Sequence, residues 1–364
     1  MDFAFSEEQE MLRGQARSFL AEKSSADRVA ELAVSGEGWD PGLWPQVAEL
    51  GWIGLSVPEG KGGAGFGFLE EAVLFEEMGY ALYPGPYFAT VGLALPALAD
   101  ADVLGSVIAG EFPATLAYAE RPGPSLFYDL DNVGTRAEKA NGTWTLSGEK
   151  HLVPDAQVGG CAVVIARTSE GVALFLVRIT DQICENKTTV DTTRRMSRLA
   201  LDGVDAQLLV GPEESARLLE RIRLRALAAL SLEAVGIAQR VLELAIEHSK
   251  ERRQFEKPIG AYQAVSHQVS NIYMETELAR SLAYWAAWCV AEEDDQASVA
   301  VAAAKSAAGE AAVAACERAI QVHGGIGFTW EHILHRYYKR AQWIDSFEGF
   351  GALQRKVIAE RLFG

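Results

Sequence analysis

The spacing of apolar residues divides the chain into a helical first part, a strand-rich middle and a helical last part. Ser6 and Gln9 stand three residues apart, as in a capping box, and apolar residues recur behind them on one helical face. This pattern predicts a helix over residues 6–23. Further helices are predicted over residues 43–50, ending at Gly51, and over residues 69–78.

The apolar period changes between about residues 112 and 211. Short runs rich in β-branched and aromatic residues are bounded there by Gly, Asn, Asp or Pro, which is typical of strands. The clearest runs are residues 143–148, 161–168 and 172–179. The middle of the chain is therefore predicted to be a β domain.

Helical spacing returns after Gly211 and Pro212 and continues to the end of the chain. The apolar stripes cover residues 214–250, 262–294 and 296–322. Long helices joined by short loops form antiparallel bundles. We therefore expect an N-terminal helical domain over 1–111, a middle β domain over 112–212 and a C-terminal helical bundle over 213–364.

A turn rich in glycine, residues 60–67, is the first candidate for chemistry, because such turns can hold phosphate groups. Its spacing matches neither the GxxxxGK[S/T] pattern nor a GxGxxG placed between a strand and a dinucleotide-binding helix. The pattern favours a structural loop.

The charge of the chain excludes one class of partner. The sequence has 33 Lys and Arg against 50 Asp and Glu, a net charge of −17, and no long run of basic residues. We therefore expect no nucleic-acid partner. The first residues lack the basic region of a signal peptide, and charges interrupt the longest apolar stretches, so membrane insertion is not expected and a cytoplasmic location is.

The cysteines and histidines suggest neither disulfides nor a metal site. The four cysteines show no CxxC pairing and suit a reducing compartment. His332 and His335 have a possible metal-ligand spacing, but no second ligand cluster accompanies them. We predict no metal.

Six segments, in order, resemble the acyl-CoA dehydrogenase family, and together they span nearly the whole chain. They are residues 3–20, 50–82, 144–153, 233–265, 321–341 and 347–362. The resemblance implies a multidomain α+β fold, with an N-terminal all-α domain, a middle β-barrel or sandwich and a C-terminal four-helix bundle.

The resemblance also implies a chemistry. Family members use FAD to dehydrogenate an acyl-CoA thioester: a carboxylate takes the α proton, hydride passes from the β carbon to flavin N5, and an electron-transfer flavoprotein accepts the electrons. Each FAD site is divided between two subunits. One subunit supplies the isoalloxazine pocket and the substrate channel, and its neighbour binds the diphosphate end.

The half of the site that a subunit donates to its neighbour is present in this sequence. By resemblance, Arg252 matches the diphosphate-binding arginine, Phe255 its stacking neighbour, and Gln263 the glutamine that follows. Gln321, Gly324 and Gly325 match the segment where backbone approaches the cofactor. Alone, Arg252 is typical of a solvated helix end and the glycines of a helix C-cap. Their combination at the family's spacing favours cofactor binding.

The half that a subunit keeps for itself is eroded. The family's loop that shields the flavin is replaced by residues 117–127, which lack its pattern. In the flavin-contacting block over residues 150–155, Leu152 replaces an aromatic residue and Pro154 replaces a threonine. Proline has no side-chain hydroxyl and no backbone N–H, so both hydrogen-bond donors are lost.

The C-terminal block is altered in the same way. Phe350 and Ala352 replace two polar residues of the family pattern. Leu227 stands at the position of an arginine that contacts CoA, and Ala226 at an alternative base position. Glu348 does match the usual catalytic base, and an apolar pocket would raise the pKa of such a carboxylate. Two readings stay open: Glu348 is catalytic, or it is vestigial.

We interpret the sequence as one subunit of a heterotetrameric (α2β2) acyl-CoA dehydrogenase, of the kind that shortens steroid side chains. The chain would complete the FAD site of a homologous catalytic partner. One alternative is a self-sufficient homotetramer with Glu348 as base. The other is a non-catalytic scaffold or regulatory homologue.

Overall fold

The computed structural model of the chain describes residues 5–120 and 130–364. Its elements run in the order helices, strands, helices, which confirms the predicted fold class. In the described residues the α-helices are α1 (Glu7–Lys23), α2 (Ala26–Val34), α3 (Trp44–Glu49), α4 (Phe68–Tyr80), α5 (Leu104–Ile108), α6 (Pro212–Glu251), α7 (Gln263–Ala291), α8 (Ala297–His323), α9 (Leu334–Ser346) and α10 (Gly351–Phe363). The strands are β1 (Ala114–Ala117), β2 (Arg136–Ala140), β3 (Thr143–Pro154), β4 (Cys161–Arg167), β5 (Val172–Arg178), β6 (Cys184–Lys187), β7 (Met196–Val210), β8 (Arg253–Gln254) and β9 (Lys257–Pro258).

The first helix begins as its sequence predicts. The Ser6 hydroxyl accepts a hydrogen bond from the Gln9 backbone N–H, and the Gln9 side chain accepts one from the Ser6 N–H, both at 3.1 Å. This capping box satisfies two backbone donors that the helix itself leaves without partners. The other predicted helices are present as α3, α4, α6, α7 and α8.

The glycine-rich turn packs against its own backbone. The N–H of Ala64 donates to the Gly54 carbonyl at 3.0 Å, and that of Gly65 donates to the Val57 carbonyl at 2.9 Å. A Cβ built on Gly63 would overlap the Val57 carbonyl oxygen. Close packing within the loop therefore accounts for this glycine, as the interpretation of a structural loop expected.

The middle strands close into a barrel. They form a sheet in the order β1-β4-β2-β3-β7-β5, with β6 on β7, and β4 also pairs with β5. Its interior is filled by alternate apolar residues, among them Leu146, Phe175 and Leu199, all fully buried. The strands predicted over 143–148, 161–168 and 172–179 are confirmed as parts of β3, β4 and β5.

By packing, the chain divides into two compact units. The first comprises the chain up to Val34, Phe68–Tyr83 and Leu227–Gly364, and the second comprises Ser35–Gly67 and Pro84–Ala226. Secondary structure changes type at β1 and again at the start of α6. The consecutive domains over 1–111, 112–212 and 213–364 stay a prediction.

The first unit is a bundle of helices around α8. This helix packs against α7, α9 and α10, and its buried face consists mostly of alanine. Residues Ala297–Phe328 are long and apolar enough to cross a membrane, but 67% of their most apolar stretch is buried within the structure. That burial is typical of a core helix.

Two helices of the first unit meet at glycines. A Cβ built on Gly236 of α6 would overlap the Glu76 carbonyl of α4, and one on Gly79 of α4 would overlap the Glu233 carbonyl of α6. Beside this crossing, the buried Arg340 donates to the Glu233 carboxylate at 2.6 Å. Because both charged groups are buried, each needs the other as its partner.

Candidate functional site

The end of α6 and the segment that follows it, residues 252–263, form the first arm of the candidate cofactor site. The backbone of Arg252 is held on both sides: its N–H donates to the His248 carbonyl at 2.9 Å, and its carbonyl accepts from the Ile259 N–H at 2.8 Å. Its side chain is exposed. A guanidinium in this position can bind a phosphate oxygen pair from solvent.

A tight hairpin follows, in which β8 and β9 pair antiparallel across a two-residue turn. Both turn residues, Phe255 and Glu256, have positive φ, at 48° and 66°. This conformation is common for Asn and Gly in such turns and uncommon for a bulky aromatic residue. The Phe255 ring is also 86% exposed. A strained, exposed aromatic side chain beside an exposed arginine indicates a binding role.

The hairpin is connected to the start of α7. The Tyr262 hydroxyl donates to the Gln254 carbonyl at 3.2 Å, and the Tyr262 ring meets the Phe255 ring edge-on at 6.5 Å. Gln263, the first residue of α7, is exposed. The three residues predicted for this arm, at positions 252, 255 and 263, therefore lie on one connected and exposed segment.

The end of α8 and the glycines that follow it, residues 321–325, form the second arm of the candidate cofactor site. Gly324 has φ 66° and ψ −139°, a conformation open essentially only to glycine. No atom lies within 4 Å of a Cβ built on Gly324 or Gly325, and the Gln321 side chain is exposed. The backbone here is therefore open to a ligand. An exposed guanidinium and an accessible glycine backbone suit the diphosphate of FAD.

Histidine rings bring the two arms together. The His248 ring on α6 stacks on the His323 ring on α8 at 4.3 Å, with an angle of 21° between the planes. The centroid of the His332 ring lies 4.7 Å from that of the His323 ring. The sequence pattern predicts no role for either His248 or His323. Their positions, one turn before Arg252 and directly before Gly324, were the available signal.

The two histidines with metal-ligand spacing have other contacts. The Nδ1 atom of His332 accepts from the Leu334 N–H at 3.3 Å, and the His335 ring meets the Trp330 ring at 4.8 Å. Across residues 5–120 and 130–364, no group of three or more His, Cys, Asp or Glu side chains is arranged to hold a metal ion.

The block that the resemblance matches to the family's flavin contacts, residues 150–155, contains a bulge. The pairing of β3 with β7 shifts register between Lys150 and Val153. Leu152 lies in this bulge with φ 51° and is 46% exposed. Pro154 is buried, and its carbonyl accepts from the Thr115 hydroxyl at 2.6 Å. No hydrogen-bond donor faces out from position 154, so this segment does not fit the polar edge of an isoalloxazine ring.

Lys150 anchors the segment before the flavin-shielding loop. Its buried Nζ lies 2.6 Å from the Glu120 carboxylate, which also accepts from the backbone N–H groups of Gly134 and Thr135. Burial lowers the pKa of Lys150 to about 8, although Glu120 opposes the shift. In the predicted replacement loop, 117–127, positions 121–127 lie outside the described residues.

Glu348 lies in the turn between α9 and α10. It is 7% exposed with φ 55°, and its carbonyl accepts from the Gln354 side chain at 3.0 Å. Phe350, two residues further, is 57% exposed, and Ala352 is exposed on the first turn of α10. The apolar replacements therefore lie at the surface, while the carboxylate-bearing residue is inside.

The buried side chain of Lys305 contacts the residues next to this turn. The Nζ atom of Lys305 on α8 donates to the Asp345 carbonyl at 3.0 Å, and its side chain is fully buried. Burial lowers the pKa of Lys305 to about 8, while the carboxylates of Asp345 and Glu348 oppose the shift. The Glu348 carboxylate therefore interacts electrostatically with the buried Lys305.

The positions on α6 that correspond to the CoA arginine and the alternative base are apolar and internal. Leu227 and Ala226 are both fully buried. The nearby arginines have other contacts: Arg223 forms a two-point contact with Glu220 at 2.7 and 2.8 Å, and Arg225 donates to the Ser56 hydroxyl at 3.0 Å.

The chain belongs to the acyl-CoA dehydrogenase family. Residues 6–101 match the acyl-CoA dehydrogenase N-terminal domain, and residues 224–363 match the acyl-CoA dehydrogenase C-terminal domain. The fold is likewise that of this family. This membership establishes the class of enzyme, an oxidoreductase acting on CH–CH bonds.

The chain is similar to other acyl-CoA dehydrogenases along most of its length. The chain is 32% identical to the acyl-CoA dehydrogenase IpdE2 of Mycobacterium tuberculosis, over 92% of this chain and 91% of that protein. It resembles a variant of the Tcur3481–Tcur3483 steroid ACAD, with a TM-score of 0.85 and 29% identity over 98% of each chain. It also resembles the ChsE4–ChsE5 complex of Mycobacterium tuberculosis, with a TM-score of 0.88 and 26% identity over 100% of this chain and 99% of that one.

Proposed function

We propose that this chain is one subunit of a heteromeric, FAD-dependent acyl-CoA dehydrogenase and completes the FAD site of a homologous catalytic partner. The observation that carries the proposal is the asymmetry between its two half-sites. The donated arms are exposed and contain residues with positive φ, whereas the flavin block of the same chain has Leu152 in a bulge and Pro154 without a donor.

The role of this chain follows from its own residues. Arg252 would neutralise the FAD diphosphate through paired hydrogen bonds, and Phe255 would cover an adjoining part of the cofactor. Gly324 and Gly325 would let backbone approach it, and Gln263 and Gln321 would supply polar contacts. FAD, when bound, supplies the hydride acceptor for α,β-dehydrogenation.

The charge of the chain makes the position of Arg252 important. FAD and CoA are both polyanions, and a protein of net charge −17 repels them at a distance. Binding therefore depends on cations placed directly at the site. Arg252, exposed at the end of α6, is such a cation.

The relatives support a partner and a substrate class. Two of the similar solved structures are named as pairs of chains, ChsE4–ChsE5 and Tcur3481–Tcur3483, and the second is named a steroid ACAD. We therefore propose an α2β2 assembly with a homologous subunit, a steroid side-chain acyl-CoA as substrate and an electron-transfer flavoprotein as acceptor. A cytoplasmic location belongs to the same proposal.

Substitution of Arg252 tests the donated half-site. In the complex with the homologous partner, we expect Arg252→Ala to weaken FAD binding by about 1.5–3 kcal/mol, roughly ten- to a hundredfold, because a charged hydrogen-bond partner is lost. Flavin fluorescence on titration gives the dissociation constant.

Arg253→Ala is the matched control, because this neighbouring arginine donates to the Glu256 carbonyl within the hairpin, at 2.8 Å. We expect the control to retain FAD affinity. Equal losses in both variants, or none in either, would contradict the proposed role of Arg252.

A second candidate is favoured by one observation. Glu348 is buried and interacts electrostatically with the buried Lys305, so a carboxylate is held inside the protein at the position that the resemblance assigns to the general base. A self-sufficient dehydrogenase with Glu348 as base would bind FAD without a partner. The flavin content of the isolated chain separates the two candidates.

A further inference from the structure

Three histidine rings form a column between the two arms of the donated half-site. His248 lies on the last turns of α6, His323 ends α8, and His332 lies in the segment that follows. Ring centroids are 4.3 Å apart for the first pair and 4.7 Å for the second. The column therefore sets the distance between the end of α6 and the end of α8.

The arms are short extensions of this column. Arg252 is one helical turn beyond His248, whose carbonyl accepts its N–H at 2.9 Å. Gly324 directly follows His323. A change in the spacing of the rings therefore changes the spacing between the guanidinium and the glycine backbone.

The hydrogen bonds of two of the rings fix where their hydrogens lie. The Nδ1 atom of His323 is 2.7 Å from the Ala319 carbonyl, which only accepts, so this nitrogen carries the hydrogen. The Nδ1 atom of His332 accepts from the Leu334 N–H at 3.3 Å and so carries none. A proton added to His332 at Nδ1 would remove this hydrogen bond.

We propose that His248 and His323 are positioning residues: while neutral, their stacked rings hold Arg252 and Gly324–Gly325 at the separation that the FAD diphosphate needs, and protonation of the column drives the two arms apart. This inference rests on the proposed function. It assigns to the donated half-site a dependence on pH that comes from this chain alone.

The electrostatic surroundings of the column support the inference. Burial lowers the pKa of all three histidines, that of His323 to about 4. Within the column, His248 acts on both other rings, and His332 acts on His323. Arg252 lowers the pKa of His248 further, and Glu251 opposes it.

The last titratable neighbour of the column is on α9. His335, whose pKa burial lowers to about 4, interacts with His332. Among the described residues that act on the three rings, Arg252 and the rings themselves disfavour an added proton, while Glu251 and the Ala319 carbonyl favour one. A positive charge added to the column meets more repulsion than attraction.

The direction of the pH effect follows from these shifts. Each histidine binds its proton more readily in the open or unfolded form than in the closed column. The closed form is therefore fully favoured above about pH 6.5 and loses its advantage as the pH falls towards about 4. FAD binding, which needs the closed form, should weaken over the same range.

The test uses the complex of this chain with its homologous partner. The FAD dissociation constant is measured at pH 7.5 and 5.5 by flavin fluorescence, while light scattering checks that the complex stays assembled. For the unaltered complex we expect about a tenfold weaker affinity at pH 5.5. For His248→Phe, which keeps an aromatic ring but cannot be protonated, we expect a smaller loss of about three- to fivefold, because His323 and His332 still titrate.

His267→Phe is the control, because this histidine is exposed on α7 outside the column. It should keep the full pH dependence. His332→Phe removes the titratable ring at the other end of the column and should also reduce the pH dependence of FAD binding. It provides the test if the His248→Phe variant does not assemble with the partner.

The outcomes separate the two proposals. A complex that lacks FAD at pH 7.5 overturns the proposed function and, with it, this inference. A complex that binds FAD at pH 7.5, and whose pH dependence is the same with and without His248→Phe or His332→Phe, overturns the histidine column alone.

Discussion

Phe255 shows how a single residue can carry evidence of function in its backbone. It occupies a left-handed position in a two-residue turn, where Asn or Gly is preferred, and exposes 86% of its side chain. The proposed function accounts for both features, because a bound FAD would cover the exposed ring.

A first prediction concerns this strain. Phe255→Asn should raise the free energy of unfolding by about 0.5–1 kcal/mol, because Asn adopts positive φ at lower cost. The same change should weaken FAD binding in the complex. Urea unfolding and flavin titration measure the two effects.

The matched control is Glu256→Asn, in the other residue of the turn, which has φ 66°. It should raise stability in the same way and leave FAD affinity unchanged. If Phe255→Asn retained full FAD affinity, the ring would have no part in the cofactor site.

For single residues, the sequence predicted which hydrogen-bonding groups are present better than it predicted side-chain contacts and backbone conformations. The sequence alone shows that position 154 has no hydrogen-bond donor, because proline has neither a side-chain hydroxyl nor a backbone N–H. The structure adds that Pro154 is buried. The stack of His248 on His323 was not predictable, because the two residues lie on different helices and nothing in a linear pattern pairs them. The positive φ of Leu152 depends on a bulge between β3 and β7, which periodicity also does not reveal.

Among the elements, those with strong local signals were predicted well. The capping box at Ser6 predicted the start of α1, and runs of β-branched residues predicted parts of β3, β4 and β5. The closure of the barrel was not predictable from these runs, since it requires β4 to pair with β2 and β5 to pair with β7, strands that lie far apart in the sequence.

The crossing of α4 and α6 provides the second prediction. Glycine in a helix interior reads from sequence as a weakness, yet at Gly236 it permits the backbone contact with Glu76. Gly236→Ala should lower the free energy of unfolding by about 1–3 kcal/mol, because the added methyl overlaps backbone that cannot move independently.

Gly14→Ala is the matched control, since a Cβ there has no atom within 4 Å and α1 is otherwise regular. It should raise stability by up to about 1 kcal/mol through helix propensity. Thermal or urea unfolding of both variants checks the pair. Stabilisation by Gly236→Ala would show that the crossing is looser than described.

For the whole molecule, the central feature of the proposed function is the contrast between two half-sites. The arms at Arg252 and Gly324 match the family's pattern by resemblance and have an open surface. In the same chain, Leu152, Pro154 and Phe350 stand where the resemblance places an aromatic residue, a threonine and a further polar residue. Loss without selection would not be expected to spare one half and alter the other, whereas division of labour between two homologous subunits accounts for both.

The most direct test of this account is the flavin content per chain, measured by absorbance on the protein purified alone and again after co-purification with its homologous partner. The account predicts almost no flavin on the chain alone and one FAD for each pair of different subunits in the complex. A ratio near one FAD per chain for the isolated protein would contradict it and support the self-sufficient enzyme. A stable complex with no FAD would also contradict it, and would leave the chain a non-catalytic homologue.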